Sequence, residues 1–112
     1  MTENAISFII PVYNRPQEIK ELLESFTKLS SEKDFEIVII EDGSTDDCQG
    51  VIKDFNPQLT ISYYKKGNTG PGDSRNYGMK KAKGNYFIIL DSDCLLPEDY
   101  MQHVIYNLNN NY

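Results

Sequence analysis

The sequence predicts an α/β fold in which a mostly parallel sheet of about four strands carries helices on both faces. Four short apolar runs rich in β-branched and aromatic residues, at 5–12, 35–40, 59–64 and 86–90, have the character of strands. Each run is followed by a segment with helical spacing or helix-capping residues, and strands that alternate with helices form parallel sheets. With neither an internal repeat nor a linker, residues 1–112 are expected to form one domain.

The first strand and helix are marked by their proline and asparagine residues. Residues 5–12 are predicted to be a buried strand, with Pro11 near its end, where a missing backbone donor is tolerated. Asn14 is expected to cap the helix that follows, and Pro16 suits the first turn of that helix. The apolar face of the helix is expected to comprise Ile19, Leu22, Leu23, Phe26 and Leu29.

The second strand is followed by another capping pattern. Residues 35–40 form the strand, and an acidic pair with a glycine ends it. Ser44, with Asp47 three residues later, predicts a capping box for a short helix. Pro57 is expected to close that helix.

The second half of the chain adds two more strands and helices. Residues 59–64 alternate between apolar and polar side chains, a pattern typical of a sheet edge. The glycine-rich stretch 67–72 leads into a helix of about three turns, with Gly84 as its C-cap. Residues 86–90 are predicted to be a fully buried strand, and Pro97 opens the last helix.

Composition excludes some classes of protein. The 17 acidic and 11 basic residues leave a formal net charge of −6, whereas a nucleic-acid-binding protein shows a basic face. Cys48 and Cys94 lie far apart without a Cys-x-x-Cys pair, which argues against a zinc site. The sequence begins without the features of a signal peptide, and no apolar run approaches the roughly 20 residues of a membrane span. We therefore expect a cytoplasmic protein.

Polar and acidic side chains follow the predicted strands. Tyr13 and Asn14 follow the first strand, residues 41–43 the second, and Asp91 and Asp93 the fourth. Ligands of open parallel sheets bind beyond the carboxyl ends of the strands, so these groups are expected to share one edge. Carboxylate oxygens suit a hard divalent cation, and magnesium completes its shell with waters and substrate phosphates. The pattern predicts a cation that bridges the protein and a diphosphate, and its carboxylates are not expected to belong to the core.

Taken singly, each motif has a commoner explanation. Asp-Ser-Asp is a loop or cap in most proteins, residues 41–44 suit a turn, and Tyr13 suits packing. The glycines at 67–72 do not form a Rossmann fingerprint, and His103 is expected at the surface. A phosphatase of the haloacid dehalogenase type is disfavoured, because its Asp-x-Asp should follow the first strand.

Four motifs in register resemble the family 2 glycosyltransferases. They are residues 8–15, residues 41–46, Asn-Thr-Gly at 68–70 followed by Ser-Arg-Asn-Tyr-Gly at 74–78, and Asp-Ser-Asp at 91–93. Glu41 departs from the pattern, since an aspartate is usual there. The resemblance covers nearly the whole chain and implies the GT-A fold, of which this is the Rossmann-like nucleotide-binding half. It also implies a nucleoside-diphosphate sugar as donor.

The resemblance assigns four residues to the nucleotide base. Pro11 and Tyr13 are implied to line the base pocket, with Tyr13 packing on the base. Asp42 is implied to accept a hydrogen bond from a base N–H, and Asn68 to lie beside the base. Uridine is favoured because Tyr13 and Asp42 suit a pyrimidine imide, with GDP- and dTDP-sugars as alternatives.

The remaining assignments concern the ribose, the diphosphate and the metal. Arg75 is implied to lie near the nucleotide. Asp91 is implied to face the ribose or the water shell of the metal, which makes it both a donor-binding and a metal-site residue. Asp93, the last carboxylate of the Asp-x-Asp motif, is implied to be a direct ligand of Mn²⁺ or Mg²⁺.

The implied activity is inverting transfer of a sugar in polysaccharide biosynthesis, to a glycan, lipid-linked or protein acceptor. Family members carry the acceptor site and the catalytic base in a second half, so the chain is expected to be truncated and its base to be absent. The alternative is a non-catalytic fragment that binds the nucleotide sugar. Apolar surface beside the fourth strand is expected to support a homodimer, and peripheral membrane association is expected only through missing parts.

Overall fold

The computed structural model describes residues 6–29, 35–56 and 58–111. Strands and helices alternate along the chain, as predicted. Their order is β1 (Ile6–Val12), α1 (Pro16–Thr27), β2 (Phe35–Asp42), α2 (Gln49–Phe55), β3 (Ile61–Lys66), α3 (Pro71–Lys81), β4 (Tyr86–Ile89) and α4 (Tyr100–Asn111). No helix of the described residues combines the length and the apolar character that a bilayer crossing requires.

The four strands form one sheet in the order β3-β2-β1-β4, and every neighbouring pair is parallel. The chain moves outward from β1 to β2 and β3, and then returns to place β4 on the other side of β1. The strand order therefore reverses at β1, and parallel sheets bind ligands at such a switch point, beyond the carboxyl ends of the strands. The predicted α/β fold with a parallel sheet is confirmed.

Alternate residues of the strands build a core on each face of the sheet. On one face Phe8 and Ile10 pack against α1, α2 and α4 in the larger core. On the other face Ile9 and Ile40 pack beneath α3. Gly78 of α3 lies so close to the sheet that a Cβ there would be 2.6 Å from Ile9 Cγ2 and from Ile40 Cδ1. Helices cover both faces, as predicted.

The fourth strand differs from its prediction. β3 is an edge strand as expected, but β4 is the other edge, and Phe87 and Ile89 are exposed. Both side chains lie on the face that α3 shares with Ile9, since Ile89 is paired with Ile9. The prediction of a fully buried strand is wrong because α3 packs over β1 and β2 and leaves the β4 part of that face open. The expectation of exposed apolar surface beside β4 is confirmed.

The predicted helix caps on the first half of the chain are wrong. The N-cap position of α1 is Arg15, and that of α2 is Cys48, and neither helix has a side-chain cap. Asn14 and Ser44 instead bond to each other's loops, because both loops lie at the same edge of the sheet. The expected stop at Pro57 lies outside the described residues.

Two boundaries in the second half are also shifted. Helix α3 ends at Lys81, so Gly84 is not its C-cap; the Gly84 amide donates to the Ser7 hydroxyl over 2.8 Å. Helix α4 begins at Tyr100 rather than at Pro97, whose carbonyl accepts from the Tyr100 amide over 3.0 Å. A tertiary hydrogen bond thus engages Gly84, and a local turn precedes α4.

Candidate functional site

A cleft of about 200 Å³ opens at the carboxyl edge of the sheet, where the strand order reverses. It is lined by Pro11, Val12, Tyr13, Asp42, Pro71, Arg75, Asp91 and Ser92. These residues come from the ends of β1 and β2, the first turns of α3 and the turn after β4. Because all four strands are parallel, their ends meet at this one edge, as the sequence predicts.

Five of the seven residues assigned to the donor site line this cleft: Pro11, Tyr13, Asp42, Arg75 and Asp91. The other two, Asn68 and Asp93, lie outside its lining. Asn68 donates from Nδ2 to the Asp42 carbonyl over 3.0 Å, so it belongs to the loop beside the cleft. Asp93 is exposed two residues beyond Asp91. The individual roles of these residues stay predictions.

Tyr13 leaves a large part of its ring in solvent. It is 52% exposed although it follows directly after a strand in which every residue but Pro11 is buried. An aromatic ring that borders a cleft offers an apolar face for stacking, because its π-system packs well on another flat ring. The ring thus supplies one wall that a nucleotide base fits.

Asp42 is buried, in contrast to the expectation that strand-end carboxylates stay outside the core. It is 4% exposed, and Lys66 Nζ donates to its Oδ1 over 2.7 Å. The Thr69 amide also donates to Oδ1, over 2.9 Å, and the Gly70 amide to Oδ2, over 3.1 Å. Burial opposes ionisation, but the hydrogen bonds and the Lys66 charge outweigh it and hold the pKa of Asp42 below its usual range. Asp42 is therefore an anion that fastens the loop before α3.

Lys66 was missed by the sequence analysis. Its ammonium also donates to the Gly67 carbonyl over 3.0 Å and contacts the Thr69 hydroxyl, and it lies 3.8 Å from Asp73. A lysine at the end of an edge strand carries no motif, so nothing in the sequence marks it as a partner of Asp42. The pairing becomes visible only when β2 and β3 are placed side by side.

Gly43 permits the close approach of this loop. Residues other than glycine rarely adopt its φ of 74°. A Cβ at this position would also lie 2.6 Å from the Asn68 amide nitrogen. The glycine thus lets the 67–70 loop lie directly against the end of β2, where Asn68 and Asp42 hold it.

The carboxylates of Asp91 and Asp93 are exposed, and neither forms a hydrogen bond or an ion pair within the described part of the chain. The described residues also hold no group of three or more His, Cys, Asp or Glu side chains that would bind a metal alone. Magnesium needs only one or two carboxylates when phosphates and waters complete its shell. These two oxygen donors fit a hard divalent cation that is held jointly with a diphosphate.

Arg75 is the basic residue that lines the cleft. It lies in the first half of α3, is half-buried, and has no hydrogen-bond or ion-pair partner within the described ranges. A guanidinium without a protein partner keeps its donors available to phosphate or carbonyl oxygens. The cleft thus combines an aromatic wall, a buried carboxylate, a free guanidinium and exposed carboxylates.

Curated relatives of the chain are glycosyltransferases. An uncharacterized glycosyltransferase of Rickettsia felis is 42% identical over 100 residues, which cover 89% of this chain and 16% of the relative. The poly(ribitol-phosphate) β-N-acetylglucosaminyltransferase TarS of Staphylococcus aureus is 36% identical over 99 residues, covering 86% of this chain and 17% of TarS. The chain thus spans about a sixth of the length of these relatives.

Solved structures share the fold. A crystal structure of S. aureus TarS 1–349 in complex with UDP superposes with a TM-score of 0.86 at 29% identity, covering 94% of this chain and 32% of that one. The glucosyl-3-phosphoglycerate synthase of Mycobacterium tuberculosis, solved with Mn²⁺ and UDP, has a TM-score of 0.75 at 17% identity, which supports the fold alone.

A family model described as glycosyl transferase family 2 matches residues 7–112, which is nearly the whole chain. The relatives and the structural neighbours agree with that match, and the neighbours share the fold. The chain belongs to glycosyl transferase family 2 and adopts its GT-A fold.

Proposed function

We propose that this chain binds a nucleoside-diphosphate sugar, with UDP as the nucleotide, for transfer of the sugar to an acceptor. The observation that carries the proposal is the cleft that brings Tyr13, Asp42, Arg75 and Asp91 together at the switch point of the sheet. The TarS structures in complex with UDP and with UDP-GlcNAc support a uridine nucleotide, since they share this fold at about 30% identity.

The base is recognised by Tyr13 and Asp42. Tyr13 stacks on the base, and Pro11 and Asn68 border it. Asp42 Oδ1 already accepts two protein donors whereas Oδ2 accepts one, so Oδ2 is the oxygen with acceptor capacity left. Uracil presents an imide N–H that such an oxygen accepts, and cytosine and adenine lack a ring N–H at the equivalent edge.

The diphosphate and the cation are assigned to Arg75, Asp91 and Asp93. Arg75 would donate to phosphate oxygens, and the carboxylates of Asp91 and Asp93 would hold Mn²⁺ or Mg²⁺. Such a cation would stabilise negative charge on a departing diphosphate. This arrangement accounts for anion binding by a chain whose formal net charge is −6.

The proposed reaction is inverting transfer to a glycan, lipid-linked or protein acceptor in polysaccharide biosynthesis. A transferase needs a base within hydrogen-bond reach of the acceptor hydroxyl. None of the residues that line the cleft is assigned that role, so the catalytic base stays unassigned. The cytoplasmic location, the homodimer and the peripheral membrane association remain proposals.

Thermal unfolding with ligands tests the donor site. UDP with Mn²⁺ should raise the melting temperature, because a ligand at 100 times its Kd stabilises the folded state by about 2.7 kcal/mol. Mn²⁺ alone should do much less, since two carboxylates make a weak site without phosphate. An equal shift with Mn²⁺ alone, or none with any nucleotide, would contradict the proposal.

The Asp93→Asn variant distinguishes the metal-dependent part of UDP binding from the part that needs no metal. We expect the variant to fold normally and to lose the part of UDP binding that depends on Mn²⁺. Asp54→Asn is the matched control, because Asp54 is an exposed aspartate on α2 that does not line the cleft. If Asp93→Asn and Asp54→Asn bound UDP with Mn²⁺ equally well, Asp93 would not be a metal ligand.

A transfer assay separates enzymatic function from binding alone. UDP-sugars are offered with glycan and simple glycoside acceptors, and product is measured by mass spectrometry. Binding without product would favour the non-catalytic alternative for this chain. Metal-dependent transfer would assign catalysis to residues within it.

A further inference from the structure

A buried carboxylate lies behind the cleft. Glu41 is 1% exposed and has no cationic partner within the described part of the chain. Its Oε1 accepts from the Cys48 amide over 3.0 Å, the Cys48 thiol over 3.1 Å and the Tyr63 hydroxyl over 2.7 Å. Burial, and then the hydrogen bond to Glu41, raise the pKa of Cys48 and of Tyr63, so both groups stay donors at neutral pH. Hydrogen bonds thus replace a counter-ion.

The second oxygen of Glu41 reaches the loop after β1 through one hydroxyl. Ser44 Oγ donates to Glu41 Oε2 and accepts from the Asn14 amide over 2.8 Å. A relay therefore runs from the Asn14 backbone through Ser44 to the buried carboxylate. It joins residues 30 positions apart in the sequence.

Asn14 makes the reciprocal connection with its side chain. Its Oδ1 accepts from the Thr45 and Asp46 amides, each over 2.9 Å, and from the Thr45 hydroxyl over 3.3 Å. At φ 53° it is the only non-glycine residue of the described ranges with a positive φ. An asparagine tolerates this conformation better than most residues, and these bonds hold it there. The turn that carries Tyr13 is therefore held by Asn14 and Ser44.

We propose that Asn14 and Glu41 are positioning residues that hold the Tyr13 ring over the nucleotide base. The inference rests on the proposed function and goes further, because neither residue lines the cleft. Tyr13 has no hydrogen bond or ring contact of its own within the described residues. The Asn14 N–H belongs to the peptide that follows Tyr13, so the relay restrains the backbone from which the ring projects. A ring held in place before binding costs less ordering when the ligand arrives.

The test is a double-mutant cycle on UDP affinity measured by calorimetry with Mn²⁺. Ser44→Ala interrupts the relay to Glu41, and Asn14→Gly removes the side-chain acceptor while keeping the positive φ accessible. Each change should weaken UDP binding about fivefold to tenfold in the wild-type background, the scale of coupling between contacting groups. In a Tyr13→Ala background, each should have almost no further effect.

Two controls separate positioning from a general loss of stability. Ser7→Ala removes a fully buried hydroxyl at the amino end of β1, where it bonds to Glu36 and Gly84, and should leave UDP affinity unchanged. Pyrophosphate with Mn²⁺ carries no nucleotide base for Tyr13 to stack on. Its affinity should therefore be the same in wild type, Ser44→Ala and Asn14→Gly.

The outcomes are distinct. If wild type binds UDP but the changes are additive with Tyr13→Ala, or weaken pyrophosphate equally, the positioning role is wrong and the donor site stands. If wild type does not bind UDP, both proposals are wrong. Glu41→Gln should weaken UDP binding in the same way. Should this variant fail to fold, Ser44→Ala still tests the relay, because it interrupts the relay and leaves the three bonds to Glu41 Oε1 intact.

Discussion

Replacing Asp42 with alanine tests whether the ion pair between Asp42 and Lys66, which lies at the candidate site, also stabilises the fold. The change leaves Lys66, whose side chain is 12% exposed, without its 2.7 Å partner, and it frees the Thr69 and Gly70 amides. Breaking a buried pair by removing one partner costs about 3–5 kcal/mol. Lys66 keeps the Gly67 carbonyl and the Thr69 hydroxyl as acceptors and Asp73 at 3.8 Å, which favours the lower end of that range. We expect a loss of about 3 kcal/mol in the free energy of unfolding.

That loss is measurable by urea and thermal unfolding. For a domain of about 100 residues, 3 kcal/mol corresponds to a fall of more than about 10 °C in Tm. Asp42→Ala combined with Lys66→Met should recover part of the loss, because no uncompensated charge stays buried. Asp54→Ala, at an exposed position, is the control and should change little. A loss under about 1 kcal/mol for Asp42→Ala would refute the pairing as a source of stability.

The pH dependence follows from the lowered pKa of Asp42. A carboxyl group with a folded pKa below its unfolded value contributes stability that is fully present above the unfolded value, about 3.9 for aspartate. That contribution is lost as the pH falls through the folded pKa. The difference in unfolding free energy between wild type and Asp42→Ala should therefore be constant near neutral pH and shrink below about pH 4. A difference that grew on acidification would contradict the assignment.

Two further predictions concern packing and thiol chemistry. Gly78→Ala should lower Tm, because the new methyl group meets Ile9 and Ile40 at 2.6 Å and overpacking costs about 1–3 kcal/mol. Gly72→Ala, in the same helix, is the control and should not lower Tm, because the space around Gly72 is open. A thiol reagent should modify half-buried Cys94 in the folded protein and reach Cys48 only on unfolding, because Cys48 is buried and its pKa is raised by burial and by the neighbouring carboxylate.

The sequence alone determined the strands, their alternation with helices and the edge at which the ligand groups meet. Short β-branched runs are local signals, and parallel strands bring their carboxyl ends together whatever the details of packing. Tyr13, Asp42 and Asp91 could be expected at one edge for this reason, whereas Pro11 and Arg75 were assigned only through the resemblance to the family. The structure places all five in one cleft.

Helix ends were the weakest part of the prediction. Asn14 and Ser44 have the chemistry of N-caps, and a cap is satisfied within one turn of its own helix. Here each residue meets the other's loop instead, across 30 positions of sequence. Local propensity carries no information on such a partner, because the competing backbone donors come within reach only after β1 and β2 have paired.

Tertiary structure alone decided which carboxylates are buried and that β4 is an edge strand. The sequence predicts that the Asp42 carboxylate faces solvent. In the structure, Lys66 from the neighbouring strand and the amides of residues 69 and 70 enclose it. β4 reads as buried, yet α3 covers only β1 and β2. Burial is a property of how elements pack over one another, and that depends on strand order and on which face a helix covers. Periodicity along a chain encodes neither of these.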